Sequence, residues 1–250
     1  TTCIIFLLNI FFSYIFPKKI ISCSSNSIRK HILFGYSKKF MHINNGIDLN
    51  YFYPNNQIGL KFRKKYNIAK DTFLIGILAR YSPQKNFNTL IKSLGNLKKN
   101  NIDFMCMMAG KNISIQNKNL NKLINKYKLN NNCILCDEIQ HTNEYLNSLN
   151  VHILPSSYGE GVSNSVLEAL ACGIPSIIST VGDYESLSIT NEFIFKKNDY
   201  LELSKKISNY KKNIKNKNYL VDIKKRSLNL AENNFNYDNF IKNYVNLWKK

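Results

Sequence analysis

This 250-residue sequence is short of acidic residues and has none of the common nucleic-acid-binding patterns. Sixteen aspartates and glutamates stand against 35 lysines and arginines, which gives a formal net charge of +19. A surface this basic favours anionic partners. No RNP, helix-turn-helix or zinc-finger pattern accompanies the charge, so we expect no nucleic-acid partner.

The sequence also lacks an apolar run long enough to cross a membrane. The apolar stretch Ile4–Phe16 has thirteen residues, whereas a membrane-spanning helix needs about 20. It has neither the basic segment nor the small-residue cleavage site of a signal peptide. We predict a buried helix here, with an interfacial helix as the alternative.

The six cysteines indicate neither a zinc site nor a disulfide framework. Cys133 and Cys136 have the spacing of a zinc-ligand pair, but no second cysteine pair and no suitable histidine pair accompanies them. Most of the cysteines lie within apolar runs, as structural free thiols do. We therefore predict unpaired thiols, no metal and a reducing, cytosolic compartment.

What the sequence does contain is a βαβ pattern over Val151–Glu185. The short apolar strand Val151–Leu154 is followed by a turn-rich loop and by a helix that Ser163 or Asn164 can cap. Gly173 and the proline two positions later end that helix, and a second strand follows. A unit of this length implies parallel strands with a right-handed crossover, and ligands of such sheets bind at the carboxyl ends of the strands.

Two glutamates lie at this place, Glu160 in the loop and Glu168 about a turn and a half into the helix. The backbone N–H groups of Gly161, Val162 and Ser163 lie between them and can face an anion. Gly161 also lets a ligand approach the main chain closely. Taken alone, such a pair of glutamates is more often a capped helix with solvated carboxylates.

Two cations form a second candidate group. The apolar run Phe73–Ala79 is expected for a buried parallel strand, and the amphipathic pattern over Phe87–Lys99 predicts a helix. Arg80 and Lys85 lie between this strand and this helix, where anions bind. The alternative interpretation is that both are solvated cations of a basic protein.

The residues around the two glutamates resemble a family signature. The segment PSSYGEGVSNSVLEALACGIPSIISTVGD is similar to the donor site of glycosyltransferase family 4, the glycosyl transferases group 1, which has the GT-B fold. That signature has two glutamates separated by seven residues, within a context of proline, serine, alanine and glycine. The matching positions are Pro155, Ser156, Glu160, Gly161, Glu168, Ala169, Ala171, Gly173 and Pro175.

The resemblance implies roles for the candidate residues. Glu168 would hold the ribose of a nucleotide-sugar, and Glu160 with the amides of residues 161–163 would contact the sugar and its phosphates. Arg80 and Lys85 match a family element that clasps the diphosphate.

Two further donor-binding residues are implied by the resemblance. Gly110 ends a predicted strand and corresponds to a glycine turn near the phosphates in the family. Ile139 lies in a loop that contacts the nucleotide base in the family, mainly through backbone atoms.

The fold class implied is α/β, with a Rossmann-like parallel sheet flanked by helices and a partial second Rossmann-like domain at the N-terminus. The segment Asn45–Asp48 matches the family's interdomain junction. We expect most of the N-terminal domain to lie outside this sequence. The predicted division is the end of the acceptor-side domain at 1–45, a linker at 46–60, the nucleotide-sugar-binding domain at 61–235, and a helix crossing back toward the N-terminal domain at 236–250.

The implied chemistry is transfer of a sugar from a nucleotide-sugar. The leaving diphosphate gains negative charge, which must be stabilised. The sequence has no Asp-x-Asp metal-binding motif, so Arg80, Lys85 and the helix amides would stabilise the diphosphate without a metal or a cofactor. The resemblance implies a retaining enzyme of the hexosyltransferase type.

The expected partners are a nucleotide-sugar donor and a glycan or lipid-linked acceptor of cell-envelope polysaccharide or lipopolysaccharide synthesis. The expected location is the cytoplasm, with peripheral contact to the anionic inner face of the membrane. One alternative is a donor-binding module that holds nucleotide but transfers nothing alone. A second is an incomplete product of a full enzyme gene, and a third, a phosphorylase or epimerase, is disfavoured by the two-glutamate signature.

Overall fold

The computed structural model describes residues 2–249, and its main feature is a parallel sheet. The strands in the described residues are β1 (Ile20–Ser22), β2 (Phe40–His42), β3 (Leu74–Leu78), β4 (Met105–Ala109), β5 (Cys133–Leu135), β6 (Val151–Leu154), β7 (Ser176–Ser179) and β8 (Ile194–Phe195). Six of them form one sheet in the order β5-β4-β3-β6-β7-β8, and every neighbouring pair is parallel.

Helices cover both faces of this sheet. They are α1 (Thr2–Ile15), α2 (Ser25–Leu33), α3 (Asn56–Lys65), α4 (Phe87–Lys99), α5 (Lys118–Lys126), α6 (Thr142–Ser148), α7 (Asn164–Ala171), α8 (Tyr184–Leu187), α9 (Tyr200–Asn213), α10 (Lys217–Phe235) and α11 (Tyr237–Trp248). The strand residues Leu74, Ile75 and Ile77 have no exposed surface, as expected for a strand with helices on both faces. The predicted α/β class is confirmed.

The strand order reverses between β3 and β6, which pair through Ile75 with Val151 and Gly76 with His152. Successive strands run outward to β5 on one side and to β8 on the other. The loops after β3 and β6 therefore diverge at the carboxyl edge of the sheet and leave a crevice. Ligands of open α/β sheets bind at such a crevice.

A smaller lobe precedes this large lobe in the chain. It consists of α1, β1, α2 and β2, and its two strands pair in parallel. The chain leaves it through residues 43–47 and passes back toward it between α10 and α11. These two passages lie side by side and are joined by a hydrogen bond from the Ile47 N–H to the Phe235 carbonyl at 2.7 Å. The numerical domain boundaries given above stay predictions.

The prediction of a buried N-terminal helix is wrong in one respect. The helix forms as α1, but Ile4 and Leu7 are 63% and 64% exposed. Its contacts are one-sided: the Tyr14 hydroxyl donates to the Gly35 carbonyl at 3.0 Å, and Phe6 packs edge-on against Phe34. Apolar composition favours burial but does not specify a covering surface. No helix within residues 2–249 has the length and apolarity required to span a bilayer.

Candidate active site

The loops after β3 and β6 are joined by hydrogen bonds at the point where the strand order reverses. The Arg80 guanidinium donates to the Gln84 side-chain oxygen at 3.1 Å. Gln84 in turn donates to the Gly159 carbonyl at 2.8 Å and accepts from the Ser157 N–H at 2.9 Å. The strand order thus brings two stretches of chain that are 75 residues apart into one ligand-facing surface.

The centre of this surface is an ion pair between two predicted site residues. Lys85 Nζ lies 2.6 Å from Glu160 Oε1, and their side chains are 15% and 9% exposed. The same carboxylate oxygen accepts from the Ser156 hydroxyl at 2.6 Å, and the Ser156 carbonyl accepts from Ser179 Oγ at 2.6 Å. Glu160 is therefore fixed from two strand ends, and Lys85 offsets its charge.

The backbone after Glu160 presents open hydrogen-bond donors. Within the described residues, the N–H groups of Gly161, Val162 and Ser163 donate to no protein acceptor. Ser163 is the N-cap residue of α7, yet its side chain makes no capping bond to that helix. The first N–H groups of a helix lack intrahelical partners and carry partial positive charge. This end of α7 can therefore bind an anion.

Glu168 lies in the second turn of α7, on the partly buried side of the helix. Burial raises the pKa of its carboxyl group from 4.5 to about 7. Within residues 2–249, no side chain or backbone N–H donates a hydrogen bond to the Glu168 carboxylate. Hydrogen bonds from the hydroxyl groups of a ligand would therefore stabilise the ionised form of this partly buried carboxylate.

The two remaining predicted residues follow neighbouring strands on the other side of the reversal. Gly110 ends β4, and its N–H donates to the Asp137 carbonyl at 2.7 Å. Ile139 follows β5, at the outer edge of the sheet, and packs half-buried against a cluster that contains Phe62 and Tyr145. The structure thus distributes the predicted residues along the carboxyl edge from β5 to α7, and the roles of all of them stay predictions.

Asp183 is a residue that the sequence did not single out. Its carboxylate accepts from the Ser24 hydroxyl at 2.9 Å and from the backbone N–H groups of Ser25 and Asn26 at 2.7 and 3.0 Å. A carboxylate of the large lobe thus caps α2 of the small lobe. In the sequence, the only indication of a role for Asp183 is its position after Gly182, at the end of the signature segment.

The small lobe also explains the glycine at position 161. A Cβ atom on Gly161 would lie 3.3 Å from Ser24 Cβ, so a side chain would press against the capped end of α2. We predicted that a ligand would approach the main chain closely at Gly161. On the side where a Cβ would lie, the small lobe makes that approach instead. The amide of Gly161 remains open.

A cleft of about 380 Å³ lies between these elements, beside the ion pair. The small lobe contributes one side of α2, from Asn26 to Lys30, and the large lobe contributes the chain after β6, β7 and β8. Its lining residues are Asn26, Ser27, Lys30, Ser157–Gly161, Thr180–Gly182, Tyr184 and Lys197. The Glu160 loop therefore faces both the anion-binding end of α7 and this cleft.

The family profile of the glycosyl transferases group 1 matches residues 60–227, about two thirds of the chain. The chain belongs to this family. In a second comparison, this group 1 chain is 30% identical over 161 residues to EpsF of Bacillus subtilis (strain 168), which carries the name of a glycosyltransferase. That match covers 63% of the chain and 41% of EpsF, so the chain spans less than half of this curated relative.

Solved structures support the GT-B fold of the group 1 chain. Anabaena HepE in complex with UDP-glucose superposes with a TM-score of 0.87 at 19% identity, over 98% of this chain and 67% of HepE. The C-terminal domain of the group 1 family protein LpcC from Francisella tularensis superposes with a TM-score of 0.63 at 18% identity, over 77% of this chain and 100% of that domain. At these identities the likeness is one of fold.

Proposed function

We propose that this group 1 chain binds a nucleotide-sugar at the crevice between β3 and β6 and transfers the sugar to an acceptor. The observation that carries the proposal is the combination of Lys85, Glu160 and the open amides before α7 at the reversal of strand order. Cations and helix amides are suited to a diphosphate, and a carboxylate is suited to sugar hydroxyls. HepE, which shares the fold, is described in complex with UDP-glucose.

Each group has a step in the proposed reaction. The acceptor hydroxyl oxygen bonds to C1 of the donor sugar, while the C1–O bond to the diphosphate breaks and its electron pair stays on the leaving oxygen. Arg80, Lys85 and the amides of residues 161–163 stabilise the charge on that oxygen, and the hydroxyl proton passes to it. Retention of configuration and independence of metal are parts of the proposal that come from the family resemblance.

Glu168 and Glu160 have different roles in this scheme. Glu168 accepts hydrogen bonds from the ribose hydroxyls, which the open carboxylate in α7 supports. Glu160 orients the sugar and stabilises positive charge that develops on its ring. Lys85 and Ser156 hold the Glu160 carboxylate in one position before the donor arrives.

Nucleotide titrations test the donor site. Calorimetry with UDP, GDP, ADP and CDP is expected to show binding of one nucleotide, with UDP the first to try because of HepE. Arg80→Ala should weaken that binding about tenfold, the loss of one charge-assisted contact. Arg226→Ala is the matched control, because Arg226 forms an exposed ion pair with Asp222 on α10. Folded protein that binds none of the four would refute the proposal.

A transfer assay separates the two candidate functions. The sugar donor that corresponds to the bound nucleotide is incubated with the chain and with candidate glycan acceptors, and released nucleotide is measured. Release that depends on acceptor supports transfer. Nucleotide binding without release supports the donor-binding module.

We also propose a cell-envelope glycan or lipid-linked acceptor and contact with an anionic membrane surface in the cytoplasm. The membrane contact is supported by the formal charge of +19 and by the exposed apolar side chains of α1. Sedimentation with vesicles of phosphatidylglycerol and of phosphatidylcholine tests the contact. Equal recovery with both vesicle types would contradict an electrostatic contribution.

A further inference from the structure

The cleft between the lobes is separate from the two cations assigned to the diphosphate, and of the amides assigned to it only Gly161 borders the cleft. Arg80 and Lys85 do not line it, whereas Ser27 and Lys30 of the small lobe do. It opens beside Glu160, the residue assigned to the transferred sugar. A molecule in this cleft would therefore meet the donor sugar from the side of the small lobe.

The cleft is positively charged. Its cations, Lys30 and Lys197, are both exposed and enter from opposite lobes. Its single acidic lining residue, Glu160, is already paired with Lys85 at 2.6 Å. Asp183 lies next to the lining, but its two oxygens are engaged by the first turn of α2. Two lysine charges thus remain without a carboxylate partner among the described residues.

Aromatic and polar groups complete the lining. Tyr158 is 57% exposed, and Tyr184 lines the same space from the turn after Asp183. Aromatic faces pack against sugar rings, and the side chains of Asn26 and Thr180 offer hydrogen-bonding groups to hydroxyls. The lining therefore suits a carbohydrate that carries negative charge.

The position of Lys30 depends on the contact between the lobes. Lys30 lies in α2, and α2 is held to the large lobe by the Asp183 carboxylate and by Asn26 Nδ2, which donates to the Gly182 carbonyl at 3.1 Å. Gly182 has a φ of +72°, and a Cβ there would lie 2.6 Å from the Glu160 carbonyl oxygen. One turn of chain therefore positions both the Glu160 loop and α2.

We infer that this cleft is the acceptor subsite, that the acceptor carries a phosphate or carboxylate group bound between Lys30 and Lys197, and that Asp183 is a positioning residue for it. The inference deepens the proposed function and rests on it. Phosphate and carboxylate share the same recognition chemistry at two ammonium groups, so the experiment compares them directly.

The test measures acceptor binding with the donor site filled. The chain is saturated with the nucleotide that binds it, in chloride buffer, and titrated with methyl glucoside, its 6-phosphate and methyl glucuronide. At least one anionic probe should bind about tenfold more tightly than the neutral glucoside. Preference for the phosphate or for the glucuronide identifies the acceptor group.

Variants locate the binding. Lys30→Gln and Lys197→Gln should each abolish most of the preference for the anionic probe, whereas Lys225→Gln, an exposed lysine of α10, should preserve it. Nucleotide affinity should be unchanged in all three. Asp183→Ala should lower the ratio of anionic to neutral affinity without altering nucleotide affinity, and Asp183→Asn, which keeps one acceptor oxygen, should restore part of it.

The inference is overturned if no anionic probe binds better than the neutral glucoside, or if the preference survives both lysine substitutions. Either result with intact nucleotide binding overturns the acceptor subsite alone. Failure of every nucleotide to bind folded protein overturns the proposed function instead. The two failures are thus distinguishable within one set of titrations.

Discussion

Replacement of Glu168 by glutamine should stabilise the folded protein at alkaline pH. The Glu168 carboxyl is partly buried in α7, and this burial raises its pKa from 4.5 to about 7. Glutamine has nearly the same shape and cannot ionise. Above pH 7 the folded wild-type protein contains a partly desolvated carboxylate, which lowers its stability. The glutamine variant has no such charge.

The magnitude follows from the two pKa values. Below pH 4.5 the carboxyl is protonated in both the folded and the unfolded states, so no penalty exists. Between pH 4.5 and about 7 the unfolded state releases the proton first, and folding stability falls as the pH rises. The rise in the Glu168 pKa from 4.5 to about 7 lowers the free energy of unfolding by about 3 kcal/mol at pH 8. At pH 5 the same cause lowers it by less than about 1 kcal/mol.

Urea unfolding at pH 5 and pH 8 measures this difference. Glu168→Gln should exceed the wild type by about 3 kcal/mol at pH 8 and by less than about 1 kcal/mol at pH 5. Glu232→Gln, an exposed glutamate of α10, is the control and should differ little at either pH. A gain that is equal at both pH values would refute desolvation of the carboxylate as its cause.

The same substitution should weaken nucleotide binding, opposite in sign to its effect on stability. The ribose hydroxyls would lose a charged acceptor, which is worth about 1.5–3 kcal/mol. Wild-type affinity should also fall as the pH drops below 7, because the Glu168 carboxyl then takes up a proton. An affinity that is independent of pH between 6 and 8 would separate Glu168 from the ribose.

Three further substitutions test the framework of the site. Arg63→Met should destabilise the protein by about 3 kcal/mol in urea unfolding. Arg63 is a residue 6% exposed, and its guanidinium donates to four backbone carbonyls and to Asn150. An unchanged unfolding midpoint would contradict this. Gly182→Ala should cost about 1–3 kcal/mol by the same assay, since φ is +72° and the new Cβ meets backbone; a stability equal to wild type would show that the turn relaxes freely. Lys85→Met should reduce nucleotide affinity at least about tenfold in calorimetry, with Lys225→Met as control; equal affinities would remove Lys85 from the diphosphate site.

Elements with a strong local pattern were predictable to the residue. The bounds of β6 and α4 match the sequence predictions, because β6 is a short, largely apolar segment that a proline follows and α4 shows an amphipathic period over its whole length. The short helix α8 was missed, since four residues are too few to show a period. The exposure of α1 was missed as well, because periodicity does not report what covers a helix.

The candidate site was predictable only in part, for the same physical reason. That Lys85 and Glu160 would lie on adjacent loops follows from parallel topology and from the family signature. Their direct contact at 2.6 Å depends on side-chain geometry that sequence does not encode locally. The contact of Asp183 with α2 joins residues 158 apart, and no local pattern signals a partner at that separation.

The paired passages of chain between the lobes limit how the protein can open. Residues 43–47 and the junction of α10 with α11 lie side by side, bonded through Ile47 and Phe235. These adjacent crossings place the hinge for any rotation of the lobes at one position on the molecule. Such a rotation must break the contacts of Asp183 with α2, and because these share one carboxylate, they break together. It must also break the bond from Asn26 Nδ2 to the Gly182 carbonyl, so the equilibrium between closed and open lobes depends on these few contacts at the first turn of α2.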